Sequence, residues 1–179
     1  MGPKYLAHIL PHPAKHWQQN DKIKTMKNKK LVVEIIPLKT HLALIKNAVG
    51  AKLFRNIYAR VNGKQKDILE NGFLSCAFFV SSILKIEDLI EKTHATVDGT
   101  VKDLEKFGWK EIKKPKIGSV LVWEKSDFGG GKPTKHIGFF VGKNQAISNS
   151  SKMGYPKKHH YTYNGKREIE KILHYENLK

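Results

Sequence analysis

The spacing of the apolar residues changes near the middle of the chain. Between residues 40 and 107 they recur at intervals of three and four, which is typical of helices that bury one face. From residue 120 onward, short runs rich in β-branched and aromatic residues alternate with turn residues, which is typical of antiparallel strands. This order predicts an α+β fold, with N-terminal helices packed on a C-terminal antiparallel β-sheet.

The first half of the chain contains several predicted helices and one predicted strand. Residues 40–60 carry apolar side chains at helical spacing, interrupted near Gly50, so this segment is one broken helix or two short ones closed by Asn62-Gly63. The other predicted elements are a strand over 31–36 that Pro37 stops, a helix that begins near Cys76, a helical stretch over 86–90, and a helix over 96–107 that ends at Gly108.

The second half of the chain contains the predicted sheet. A turn at Gly118-Ser119 leads into a strand over 120–123, and three consecutive glycines make a flexible loop of 128–133. The strands that follow are predicted over 136–142 and, after a turn at 143–144, over 145–149, with a last strand or helix over 168–175.

Composition favours one globular domain with a basic tail. The chain has 179 residues, of which 40% are hydrophobic, enough for one core. Lys and Arg number 33 against 16 Asp and Glu, giving a net charge of +17 that predicts attraction to polyanions such as nucleic acid, anionic membranes or acidic wall polymers. We predict a flexible basic arm over residues 1–30 that contacts such polyanions, and a single domain over 31–179.

The sequence shows no targeting or cofactor signal. The first residues lack the apolar core of a secretory signal, and no stretch approaches a membrane span, so we expect a soluble protein that is cytoplasmic, released by lysis or associated with a phage. His8, His12 and His16 recur every four residues, but Pro11 and Pro13 break the helix that would align them as metal ligands. We expect no metal and no cofactor.

The only cysteine of the chain stands at a position that suits a nucleophile. Asn71-Gly72 signals a turn, Ser75 is a good N-cap residue, and Cys76 then opens an apolar helix. A helix N-terminus carries the positive end of the helix dipole, which favours thiolate over thiol, so we predict a lowered Cys76 pKa. The competing interpretation is a buried structural cysteine.

Downstream motifs supply this cysteine with candidate partners. They are a strand announced by Gly118-Ser119, the segment His136-Ile137-Gly138, and the segment Ala146-Ile147-Ser148-Asn149. With the cysteine at the start of a helix, this order resembles the NlpC-type and CHAP cysteine peptidases and amidases of bacterial cell-wall turnover. The resemblance covers roughly residues 70–150 and implies a papain-like fold.

The resemblance assigns roles to four residues. Cys76 matches the nucleophile and His136 the general base, which takes the thiol proton and returns it to the leaving amine. The third residue should accept a hydrogen bond from the far ring nitrogen of His136. The NlpC-type pattern places it at Ser148 and the CHAP-type pattern at Asn149; we favour Asn149, because an amide oxygen orients imidazole better than a hydroxyl does. Adjacent strand residues face opposite ways, so only one can serve.

Two features depart from the family pattern or remain outside it. The family commonly has Asp before the cysteine and Ser-Gly after it, whereas Ser75 precedes Cys76 here and Ala77-Phe78 follow, so the residues expected to border the substrate differ from the family pattern. His159 and His160 close a Lys-Lys-His-His run; either histidine could lie near the site, but we favour the interpretation as a solvated basic loop.

Three functions compete at this point. The first is a cysteine hydrolase that cleaves an amide bond, most plausibly in peptidoglycan stem peptides. The second is a basic module that binds nucleic acid, with Trp17, Trp109 and Tyr161 stacking on bases, although no nucleic-acid-binding motif is present. The third is a degenerate papain-like scaffold without activity. Sequence does not separate peptidase, amidase and acyltransferase, or determine the oligomeric state.

Overall fold

The structure is a computed structural model that describes residues 32–127 and 133–179. The chain divides into two compact units, Met1–Glu34 and Ile35–Lys179, and every helix and strand named below belongs to the second. The predicted basic arm over 1–30, its three histidines and nearly all of the predicted glycine loop lie outside the described residues.

Three helices and eight strands form the second unit. The helices are α1 (Pro37–Asn47), α2 (Cys76–Ile86) and α3 (Val97–Phe107), and a 3-10 turn spans Lys52–Phe54. The strands are β1 (Tyr58–Val61), β2 (Lys64–Asp67), β3 (Lys110–Glu111), β4 (Val120–Ser126), β5 (Thr134–Gly142), β6 (Gln145–Ser150), β7 (Tyr155–His160) and β8 (Ile169–His174). In the described part of the chain, no helix is both long and apolar enough to cross a bilayer.

The strands form one hairpin and one sheet. β1 and β2 pair with each other, and the other six strands form an antiparallel sheet in the order β3-β8-β4-β5-β6-β7. The prediction of an α+β fold with an antiparallel sheet is confirmed.

The two faces of the sheet carry different cores. Helix α2 packs against β5 and β6, where the ring of Phe79 meets that of Phe139 edge-on at 5.7 Å. Both side chains are fully buried, and each such burial contributes about 1.5–3 kcal/mol to folding. The opposite face carries a smaller cluster of Leu121, Trp123, Phe140 and Ala146, against which tyrosines pack.

Several local predictions are confirmed. Helix α3 begins after Thr96, whose side chain accepts a hydrogen bond from the Gly99 backbone at 3.2 Å. It ends at Gly108, which adopts a left-handed conformation with φ of 110°. The element predicted as a strand or helix over 168–175 is strand β8.

Two other predictions are wrong, and a third is confirmed only in part. Residues 32–36 form no strand; they have no pairing partner, and Pro37 stands in the first turn of α1 instead. The helix predicted over 86–90 is absent, because α2 runs to Ile86 and Asp88 takes a positive φ of 51°. Residues 40–47 are helical and a 3-10 turn follows over Lys52–Phe54, in agreement with two short helices interrupted near Gly50, but residues 58–60 belong to strand β1.

The end of that segment is the β1–β2 hairpin. Tyr58–Val61 is strand β1, and Asn62 and Gly63, with φ of 49° and 79°, form the hairpin turn rather than a helix end. Positive φ at both central residues is the conformation that Asn-Gly favours between antiparallel strands.

Candidate active site

Cys76 is the first residue of α2, as predicted. Ser75 occupies the N-cap position, but its side chain caps no helix N–H and instead lies 3.5 Å from the backbone oxygen of Arg55. Cys76 as a residue is partly exposed, and its side chain packs against the hydrophobic core beneath α2.

The N-terminus of α2 meets the sheet beside β5. The backbone of Ile137 forms a hydrogen bond with the Cys76 thiol, and Ile137 directly follows His136 in the strand. The pairing between β5 and β6 begins at Gly138 with Ser148. The cysteine therefore approaches β5 where its ladder to β6 begins.

Asn149 fastens β6 to the turn that leads into α2. Its Nδ2 donates a hydrogen bond to the backbone oxygen of Gly72 at 2.7 Å. The turn is tightly packed, since a Cβ on Gly72 would lie 2.6 Å from the Cα of Gly154. The side-chain oxygen of Asn149 is buried without a hydrogen-bond partner. Asn149 therefore positions the helix start rather than the histidine.

His136 contacts Ser148 on the next strand. Its Nε2 lies 2.9 Å from the Ser148 hydroxyl oxygen, and both residues are buried, with exposed fractions of 8% and 2%. Gly138 makes room for this contact, because a Cβ there would lie 2.6 Å from the Ser148 Cβ. The expectation that Asn149 accepts the hydrogen bond from His136 is contradicted: Ser148 holds that place.

Ser148 in turn contacts residues beyond β6. Its hydroxyl oxygen lies 2.8 Å from Nε2 of His159 and 3.2 Å from the hydroxyl of Tyr163. The rings of His159 and Tyr163 stack with centroids 4.1 Å apart, and Trp123 packs against His136, His159 and Tyr163. His136, Ser148 and His159 form a continuous chain of side chains, called the His–Ser–His chain below.

His159 is thus misassigned by the sequence interpretation as part of a solvated loop. It lies in β7, paired with Ala146 of β6, and its side chain is partly buried. In a strand, residues 157 and 159 share a face, and residue 157 pairs with Ser148, so the register brings His159 diagonally onto Ser148. The segment Tyr155–His160 does not alternate between apolar and polar residues, so its sequence carries no clear signal for a strand.

Burial sets the direction of the pKa shifts at the site. It raises the pKa of the Cys76 thiol, although hydrogen bonds from the backbone of Ile137 and Ala77 and the charge of Arg167 act the other way. The predicted lowering of the Cys76 pKa is therefore wrong. Burial, followed by the charges of Arg167 and His159, lowers the pKa of His136 to about 3. At neutral pH the thiol and the imidazole are both uncharged.

Arg167 supplies a buried positive charge that sequence reasoning missed. It is 6% exposed, and its guanidinium donates to the backbone oxygen of Glu124 at 3.1 and 2.9 Å and to that of Thr134 at 2.8 Å. It thereby joins the segment before β8 to β4 and β5. Its charge acts on Cys76, His136, His159 and Tyr163.

The described residues offer no metal centre. Within 32–127 and 133–179, no three His, Cys, Asp or Glu side chains cluster as metal ligands. The groups that the site brings to one region are the Cys76 thiol, hydrogen-bonded to the backbone of Ile137, and the imidazole of the preceding residue, His136.

Comparisons with known proteins place the chain in no family. No protein-family model matches it, and no curated protein matches it significantly. Among solved structures it is similar to NlpC2 from Trichomonas vaginalis, with a TM-score of 0.49 and 16% sequence identity over 79% of this chain. The match covers 48% of that chain, so the present chain spans about half its length. The function proposed below rests on the geometry of the site.

Proposed function

We propose that the protein is a cysteine hydrolase that cleaves an amide bond, with Cys76 as the nucleophile and His136 as the general base. One observation carries this proposal. Cys76, the first residue of α2, is hydrogen-bonded to the backbone of Ile137, the residue after His136, while Nε2 of His136 is hydrogen-bonded to the Ser148 hydroxyl. The other ring nitrogen, Nδ1, forms no hydrogen bond within the described residues. It remains available to the thiol.

The reaction proceeds in two acyl-transfer steps. As Sγ of Cys76 attacks the carbonyl carbon, its proton passes to Nδ1 of His136 and the carbonyl oxygen becomes an oxyanion. When the oxyanion collapses, the C–N bond breaks and His136 protonates the leaving amine. Water then attacks the thioester, gives a proton to His136, and forms the carboxylic acid as the C–S bond breaks. The proton on His136 returns to Sγ.

The electrostatics of the site favour the charged state only during attack. With a neutral thiol nearby, His136 stays neutral because of its burial and the charge of Arg167. Once the proton moves, thiolate and imidazolium form side by side and stabilise each other, which lowers the pKa of the thiol and raises that of the imidazole. The backbone N–H of Cys76, at the start of α2, is a donor for the oxyanion.

Peptidoglycan stem peptides are the substrate class that we propose. The order of the motifs around Cys76, His136 and Ser148 resembles the NlpC-type and CHAP enzymes of cell-wall turnover. The net charge of +17 would hold the protein on anionic wall polymers close to those peptides.

Digestion of purified peptidoglycan tests the proposal. Wild type and Ser75→Ala should release peptide fragments with new amino termini, identified by mass spectrometry, whereas Cys76→Ala should release none. Ser75→Ala is the matched control, because it alters the same helix start and Ser75 makes no capping hydrogen bond. Release of the same fragments by Cys76→Ala would contradict the nucleophile.

Alkylation of Cys76 by iodoacetamide tests, without a substrate, whether His136 takes the proton of the Cys76 thiol. Because burial raises the Cys76 pKa, the rate should climb mainly at alkaline pH, and His136→Gln should slow the reaction at neutral pH while leaving the alkaline rate unchanged. Identical rates across the whole pH range in both proteins would show that His136 does not act on the thiol.

A further inference from the structure

Ser148 stands between two histidines and has one proton to give. Its oxygen lies 2.9 Å from Nε2 of His136 and 2.8 Å from Nε2 of His159. A hydroxyl donates once and accepts through its lone pairs. Only one histidine can therefore receive a hydrogen bond from Ser148, and the other must donate to it.

The hydrogen bond at the outer end of the His–Ser–His chain determines which histidine donates to Ser148 and which accepts from it. Nδ1 of His159 lies 2.8 Å from the backbone oxygen of His160. A carbonyl oxygen only accepts, so Nδ1 carries a proton. Burial lowers the pKa of His159; its hydrogen bond to the His160 carbonyl opposes this, whereas the charges of His160 and Arg167 add to it, so the ring is neutral at pH 7. Its Nε2 then has no proton and must accept.

The remaining hydrogen bonds follow in order. Ser148 donates its proton to Nε2 of His159. Nε2 of His136 must therefore carry a proton and donate it to the Ser148 oxygen, and the Tyr163 hydroxyl, 3.2 Å away, also faces that oxygen as a donor. In a neutral imidazole only one nitrogen is protonated. Nδ1 of His136 is left with a free lone pair.

We propose that His159 is a positioning residue that, through the Ser148 hydroxyl, holds His136 in the tautomer with an unprotonated Nδ1. The catalytic meaning of this inference rests on the proposed function, since Nδ1 is the atom that takes the Cys76 proton. When the proton arrives, Nε2 of His136 continues to donate to Ser148. No group in the His–Ser–His chain has to reorganise during the transfer.

His159 also has a packing role, and the test must separate that role from its effect on the His136 tautomer. Its ring stacks on Tyr163 at 4.1 Å with an interplanar angle of 20°. His159→Phe keeps a stacking ring and removes the acceptor, whereas His159→Gln removes the ring and keeps an acceptor oxygen. If His159 acts through the His–Ser–His chain, His159→Phe should lower activity more than His159→Gln. If His159 only packs against Tyr163, His159→Gln should lower activity more.

The direct measurement is the imidazole ¹⁵N spectrum of the full chain at neutral pH. In wild type, His136 should show a protonated Nε2 and an unprotonated Nδ1, and His159 the reverse. His159→Phe and Ser148→Ala should each shift His136 toward a mixture of tautomers, while His159→Gln should preserve the wild-type pattern.

Activity provides the second readout. His159→Phe should lower kcat by about 10-fold with little change in KM, as expected when a partner that orients a reacting histidine is removed. His159→Gln should recover most of that loss. Combining His159→Phe with Ser148→Ala should cost no more than Ser148→Ala alone, because both break the same connection.

Three results would overturn the inference: a protonated Nδ1 on His136 in wild type, an unchanged His136 spectrum in His159→Phe, or a larger loss of activity in His159→Gln than in His159→Phe. Failure of the proposed function looks different. The wild-type spectrum would show the expected tautomers, but Cys76→Ala would digest peptidoglycan as wild type does.

Discussion

Among the serine and histidine clusters of the described residues, two differ in whether the serine hydroxyl contacts the imidazole ring. Ser81, His94 and Asp103 have the residue types of a serine-hydrolase triad. However, Ser81 Oγ donates to the backbone oxygen of Ala77 at 2.8 Å and accepts from the backbone N–H of His94 at 2.9 Å, while the ring of His94 lies 2.6 Å from Asp103. The serine never meets the imidazole.

The His–Ser–His chain of His136, Ser148 and His159 has no carboxylate, and yet its side chains contact each other, and the residue after His136 is hydrogen-bonded through its backbone to the Cys76 thiol. In the first cluster, by contrast, Asp103 also accepts from the backbone N–H groups of Glu91 and Lys92. Contacts, rather than residue types, therefore distinguish the cluster proposed to react from the one that holds the fold together. Substitutions in the first cluster should reduce stability, and those in the second should reduce activity.

The largest expected effect is on turnover in His136→Ala. Loss of the proposed general base should lower kcat by about 10²–10⁴-fold, measured as release of peptidoglycan fragments. His94→Ala is the matched control, since it also removes a hydrogen-bonded histidine, here a partly buried one, but should keep the turnover of each folded molecule. Equal losses of turnover in both variants would contradict the assignment of catalysis to the cluster of His136 and not to that of His94.

Asp103→Ala should be the most destabilising change in the first cluster. It leaves His94 and two backbone N–H groups without their acceptor, which should cost about 2–4 kcal/mol in the free energy of unfolding, measured by urea denaturation. A loss below about 0.5 kcal/mol, typical of a surface substitution, would contradict this structural role.

The same carboxylate should control stability in acid. Burial raises the Asp103 pKa, but hydrogen bonds from His94, Glu91 and Lys92 outweigh it and leave the pKa below its ordinary value of 3.8. A lowered folded-state pKa stabilises the protein above the unfolded-state value and loses that contribution as pH falls toward the folded-state value. Asp103→Asn should therefore flatten the decline of stability below about pH 4, followed by urea midpoints. If stability declined equally in wild type and Asp103→Asn, other carboxylates would be responsible for the loss of stability in acid.

Ser148→Ala and Asn149→Ala should separate the two neighbouring residues. Ser148→Ala should lower kcat by about 10-fold without a comparable loss of stability, because it breaks the contact with His136. Asn149→Ala should instead cost about 1 kcal/mol of stability through its hydrogen bond to Gly72 and change kcat less. A larger loss of kcat in Asn149→Ala than in Ser148→Ala would support Asn149, the residue that the sequence favoured as the partner of His136.

The smallest effect concerns the basic N-terminal residues. If residues 1–30 bind polyanions, their deletion should reduce the salt dependence of retention on duplex DNA, by about 0.9 in the log–log slope for each phosphate that these residues neutralise. Retention against salt concentration on a DNA column measures this slope. An unchanged slope would place the binding charge on the folded unit.

Local sequence determined the start of α2, the end of α3 and the main strands of the sheet. A turn at Asn71-Gly72, a glycine at 108 and runs of β-branched residues act over a few neighbours, so their effect can be predicted without knowing what packs against them. For the same reason the sequence correctly placed Cys76 at a helix N-terminus.

Tertiary structure alone decided which polar residue meets His136. Ser148 and Asn149 are adjacent and face opposite sides of β6, and the choice between them depends on pairing with β5 and β7. Strand register is a non-local property, since a shift by one residue exchanges the two faces. His159 was missed for this reason: it reaches Ser148 only through the β6–β7 pairing.

Tertiary structure also decided the ionisation of the thiol. The position of Cys76 at the start of a helix favours thiolate, and the sequence alone predicts a lowered pKa on that basis. Packing of α2 against the sheet removes water from the sulfur, and burial opposes charge more strongly than the helix N-terminus supports it, which raises the pKa. The helix start is encoded locally, whereas the loss of solvent depends on strands more than 40 residues away in the sequence.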